Sequence, residues 1–187
     1  GSGARRWTSR DGNDPVLRFW LRSVAAAASE AGRPAGGERV FSLQFFEQDM
    51  VGVKGYDSTI LEVLTRHNVR IVSKVSNANT ITHYVDTSMK VLRRVERDLA
   101  KHYPSADVSS RAIAMAAVIG GDLSGLSVLT RGLQAIAAAD LEAIGASQGP
   151  RNVDVQFILE RDALKPAIAA LHGALVEQRA PKLARVA

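Results

Sequence analysis

Two carboxylates, Asp49 and Asp57, flank a loop that carries Gly52 and Gly55 and leads into a candidate helix start. Carboxylates of this kind, with nearby backbone carbonyls, accept hydrogen bonds from an ammonium group. Backbone N–H groups at Gly52 to Gly55, followed by a helix N-terminus, are donors suited to a carboxylate. Further along, Asn77, Asn79 and Thr80 supply neutral amide and hydroxyl groups on neighbouring strands. Ammonium acceptors, carboxylate donors and a side-chain pocket are what a free amino acid requires. A structural reading stands beside this one: Asp57 as the cap of the helix and Asp49 as a turn residue.

Other chemistries find less support. No cysteine is present, so disulfides and thiolate catalysis are excluded. His67, His83, His102 and His172 fall in separate elements without metal-ligand spacing, so no metal is expected. His67 suits a helix C-terminus, His172 a helix face and His83 an exposed strand position. Ser73 and Lys74 have the look of a nucleophile pair but lack a partner base, and no catalytic residue is assigned. The chain is basic, with a net charge of +5, yet its cations are scattered and aromatics make up only 5%. Stacking platforms are therefore scarce, and no nucleic-acid partner is expected. No apolar run is long enough to span a bilayer, and the GSGARRWTSR start lacks the apolar core of a signal peptide. A cytoplasmic protein without a membrane partner is the expectation.

The elements that must position these groups occur twice. Residues 1–14 read as a disordered tail, its leading Gly1-Ser2-Gly3 an expression scar. Val16 to Arg22 alternates partly and reads as a strand, and residues 24–39 as a linker. Val40 to Phe46 is then a strand, followed by the glycine loop and a helix capped by Asp57 or Ser58 and ended by Asn68. Strands follow at Val69 to Lys74 and Asn79 to Val85. A helix from Ser88 to His102 carries Val91, Leu92, Val95 and Leu99 as its buried stripe, and a short strand covers Ala106 to Ser110. The order is β-α-β-β-α-β, over residues 40–110. Residues 111–178 repeat it: a strand at Ala114 to Gly120, a turn at Gly120 to Gly125 where Asp122 can cap, and a helix at Leu126 to Ala138. Strands at Leu141 to Ala146 and Val153 to Leu159 and a helix at Arg161 to Gln178 complete it, before a basic tail over 179–187. This second unit lacks its last strand, which would leave an open sheet edge. Residues 15–23 are the available replacement, which nests the first unit within the second.

At this point the chain resembles the C-terminal regulatory region of aspartate kinases, which carries two ACT domains. The resemblance rests on Asp49-Met50, Gly55-Tyr56, Arg66-His67-Asn68 and Ser76-Asn77-Ala78-Asn79-Thr80 in the first unit. In the second it rests on Val118-Ile119-Gly120-Gly121-Asp122-Leu123, Gly145-Ala146-Ser147 and Ala169 to Leu175. It implies an α+β fold of two ferredoxin-like ACT domains in tandem, one nested in the other. It also implies feedback regulation by an end-product amino acid, a homodimer through the ACT domains, and a kinase domain in the parent protein. The effector site it implies comprises Asp49, Met50, Gly52, Val53, Gly55, Tyr56, Asp57, Asn77, Asn79 and Thr80. Lysine is the first expectation for the effector and threonine the second, on family frequency. Where lysine-binding members carry an acidic residue in the second strand and a Ser-Glu pair, this chain has Val72 and Asn77-Ala78. An ACT-type module that only dimerises is the alternative. Nothing matches the Lys-Phe-Gly-Gly-type phosphate-binding stretch of the kinase domain. No kinase activity is expected of the chain alone, and ATP and Mg are expected only with that domain.

Overall fold

The computed structural model describes residues 40–120, 123 and 127–175, and the backbone of 20–23. The expected tails, the linker, and Asp122 with most of its turn lie outside the described residues. Contacts divide the chain into two compact units, with the division after the first unit falling between Ile113 and Ala114.

A short strand, β1 (Trp20–Ser23), precedes the first unit. That unit comprises β2 (Val40–Phe46), α1 (Tyr56–Arg66), β3 (Arg70–Ser76), β4 (Thr80–Asp86), α2 (Met89–His102) and β5 (Asp107–Ala112). Its antiparallel sheet has the order β3-β4-β2-β5. The second unit comprises β6 (Ala114–Ile119), α3 (Val128–Ala138), β7 (Ala143–Gln148), β8 (Asp154–Leu159) and α4 (Leu164–Leu175). Its sheet has the order β1-β6-β8-β7. β1 pairs antiparallel with β6, Trp20 opposite Ile119 and Ser23 opposite Ala116. It therefore fills the place that β5 holds in the first sheet. The first unit is nested within the second.

Each sheet presents one face to its own helices. On β4 the buried positions are Ile81, His83 and Val85, the period of two expected of a half-buried strand. On α2 they are Leu92, Val95 and Leu99, one helical stripe. Ser88 caps α2 by accepting the Val91 N–H at 3.3 Å. The second core gathers Val155, Phe157 and Leu159 of β8 against Ile136 of α3 and Leu171 of α4.

Both units repeat two irregular details. Asn68 (φ 52°) and Asp140 (φ 57°) end α1 and α3 in the left-handed conformation. In each case the next N–H reaches back into the helix, Val69 to Leu64 O at 3.0 Å and Leu141 to Ile136 O at 3.1 Å. Those bonds hold Val69 and Leu141 at the helix ends, so β3 and β7 begin later than the residue pattern suggests. Each second strand also shifts register, between Ile71 and Ser73 and between Ala143 and Gly145.

Candidate functional site

The antiparallel pairing brings three connections of the first unit to one end of its sheet. Phe46, the last residue of β2, lies opposite Thr80 and Asp107, the first residues of β4 and β5. The β2–α1 loop, the β3–β4 hairpin and the α2–β5 connection meet there. Glu47 fastens them: its N–H donates to Asn79 O at 3.0 Å, and its Oε2 accepts the Ser105 hydroxyl at 2.6 Å. Glu47 is buried, and no cation pairs with it among the described residues. Tyr56 and Tyr103 stack beside it at 4.7 Å, and both contact Phe45. The Tyr56 hydroxyl is pushed up from its ordinary pKa, first by burial and then by the Glu47 carboxylate, Tyr103 and Asp49.

The loop leaving β2 turns through Gln48–Met50 and closes with a Val53 N–H to Met50 O bond of 3.0 Å. Gly52 (φ 77°) and Gly55 (φ 103°) adopt positive φ, which glycine accepts without a Cβ penalty. Asp49, Gly52, Val53 and Gly55 are exposed, whereas the Met50 side chain packs into the core. The N-cap of α1 is Gly55, not Asp57 or Ser58, and no side chain caps it. Ser58 instead donates its hydroxyl to Gly55 O at 2.8 Å. The Thr59 N–H donates to Gly55 O at 3.1 Å, and the N–H groups of Tyr56, Asp57 and Ser58 have no partner among the described residues.

Asp57 lies in that first turn and binds Lys74 Nζ of β3 at 2.5 Å. Asn77 is consumed by the hairpin: its Oδ1 accepts the N–H of Asn79 at 3.3 Å and of Thr80 at 2.9 Å. Asn79 and Thr80 remain half-buried at the shared end, linked by a hydroxyl-to-amide bond of 3.3 Å. Val72 falls at the β3 register shift. The sequence reading overlooked Glu47, Tyr103 and Ser105, and saw Lys74 only beside Ser73, not as the partner of Asp57. It also placed His83 at the surface, whereas the ring is fully buried. The strand's alternation, with His83 in phase with Ile81 and Val85, carries that signal.

A pair of βαββαβ units, one nested in the other, is the architecture of the ACT-domain regulatory regions of aspartate kinases. The regulatory subunit of aspartate kinase from Thermus flavus superposes with a TM-score of 0.62 at 14% identity, over 73% of this chain and 93% of that one. Aspartokinase III from E. coli, in complex with lysine and aspartate, superposes with a TM-score of 0.65 at 17% identity, over 89% and 35%. In sequence, the chain is 36% identical over 143 residues to the aspartate kinase Ask_Ect of Stutzerimonas stutzeri, 76% of this chain. The chain is thus a homologue of an aspartate kinase and has the fold of the aspartate kinase regulatory subunit. It spans 30% of the length of that relative. No protein-family model matches it. Among the described residues, no helix is long and apolar enough to cross a membrane.

Proposed function

We propose that this chain is the effector-binding part of an aspartate kinase and relays feedback inhibition by an end-product amino acid. The observation that carries the reading is the uncapped N-terminus of α1, reached through the Gly52–Gly55 loop where three connections meet. The effector's carboxylate takes the exposed amides of that loop and first turn. Asp49 and Asp57 are the acceptors for its ammonium, and Asn79 and Thr80 line the hairpin side. Lysine is the first candidate and threonine the second; the complex of E. coli aspartokinase III with lysine and aspartate supports that order. Inhibition follows if the kinase's inactive arrangement binds the effector more tightly than its active one. The catalytic work, with its ATP and Mg, belongs to a kinase domain elsewhere in the parent protein.

One observation favours a second reading, a module that dimerises without ligand. β3 is an edge strand, and its Ile71 and Val75 are exposed. Unpaired edges with apolar side chains invite a partner strand. A melting panel of lysine, threonine and methionine at millimolar concentration separates the two. A selective rise in Tm with one amino acid supports the effector reading, since ligand bound to the folded state stabilises it. A flat panel with concentration-dependent dimerisation supports the second. In the first case Asp57→Ala and Asn79→Ala should each weaken the response while circular dichroism stays unchanged.

A further inference from the structure

His83 is the polar side chain of the first unit with the least compensation. It is fully buried on the core face of β4, and neither ring nitrogen has a hydrogen-bond partner. The nearest carboxylate oxygen is Asp57 Oδ1 of α1, itself buried and unbonded, 3.9 Å from His83 Nε2. That gap is too long for a hydrogen bond and too short to hold a bridging water. The other oxygen of Asp57 is held by Lys74 of β3. β2 sets apolar Leu43 opposite His83. Asp57 from α1 and Lys74 from β3 are the titratable groups that act on the ring, and none on α2 does.

The three groups pull in opposed directions. The His83 pKa is lowered to about 4, first by burial and then by the Lys74 ammonium, with Asp57 opposing both. Lys74 also neutralises the one carboxylate that would stabilise an imidazolium here. We propose that Lys74, Asp57 and His83 form a charge latch: while the Lys74 ammonium sits on Asp57, His83 stays neutral and unpaired, and when that ammonium is withdrawn or neutralised, Asp57 closes onto His83, which takes a proton from solvent. Lys74 stands on an exposed edge strand, where an anion or a change at its amine can reach it. The latch thus carries a surface charge event into the core and onto the first turn of α1. It needs no bound effector, but it shares Asp57 with the effector site proposed above.

The imidazole resonances of the ¹⁵N-labelled chain test it, with His83 assigned through its loss in His83→Gln and folding followed by circular dichroism at each pH. In the wild type His83 should remain neutral from about pH 8 to about pH 5, well above its depressed pKa. In Lys74→Met the ring should be about half protonated or more at the lower end of that range, its proton affinity raised about tenfold or more. Adding Asp57→Asn to Lys74→Met should return the ring to the neutral form. Three outcomes overturn the latch: a wild-type ring that titrates within the range, a Lys74→Met ring that stays neutral throughout it, or a double variant that titrates like Lys74→Met. Lys74→Gln gives the same readings should the methionine variant not fold.

Discussion

Glu47 and His83 show how differently buried polar groups can be treated within one small unit. Glu47 ties three connections together through its N–H and its carboxylate. The His83 ring nitrogens have no hydrogen-bond partner among the described residues, and the neutral ring is what the fold tolerates. That sets a pH dependence with a definite sign. With a folded pKa of about 4 against an ordinary 6.5, the unfolded chain binds more protons between those values. The stability linked to His83 is therefore full above pH 6.5 and is lost as pH falls toward 4, by on the order of 3 kcal/mol. Urea melts of the wild type and His83→Leu across this window should show a shallower pH slope in the variant. Parallel slopes would mean that the ring does not titrate as its burial requires. Asp98, whose pKa is lowered chiefly by its hydrogen bond to His67, acts only at lower pH, as its carboxylate protonates.

At the scale of elements, helix ends rather than helix centres decide the details. The stripe Leu92, Val95 and Leu99 is plain from spacing, as is the role of Asn68 in ending α1. The starts of β3 and β7 are not, because Val69 and Leu141 look like strand residues but bond back into the helices they follow. The cap of α1 is equally hidden: Asp57 and Ser58 have the right chemistry, but Gly55 takes the N-cap with φ 103°. That difference bears on function, since a capped helix would have had fewer amides to offer an anion. Packing between α3 and β8 supplies a test at this scale. A Cβ on Gly132 of α3 would overlap the buried Phe157 ring. Gly132→Ala should destabilise the second unit by about 1–3 kcal/mol through overpacking, less the roughly 1 kcal/mol that alanine returns in helix propensity. A chemical melt with raised stability would show that the ring moves aside freely.

For the molecule as a whole, the nesting follows from one deficit. A second unit short of a strand must find it elsewhere in the chain, and β1 pairs with β6 along Trp20 to Ser23. The open edge was legible in the order of elements, and the alternation before residue 23 marked its partner. The site was less legible, because the groups that fasten it, Glu47 and Ser105, are 58 residues apart and meet only through the sheet. Removing residues 1–23 should lower hydrogen-exchange protection in β6 and β8 while leaving β2 and β4 protected; equal loss in both units, or none, would contradict the strand's role. The central claim is that an amino acid binds where the β2–α1 loop meets the β3–β4 hairpin. Titrating lysine, then threonine, into the ¹⁵N-labelled chain and following its backbone amides tests that claim most directly. Saturable shifts concentrated at residues 49–58 and 77–80 are the predicted result. An unchanged spectrum with both amino acids, or saturable shifts confined to the second unit, would contradict it.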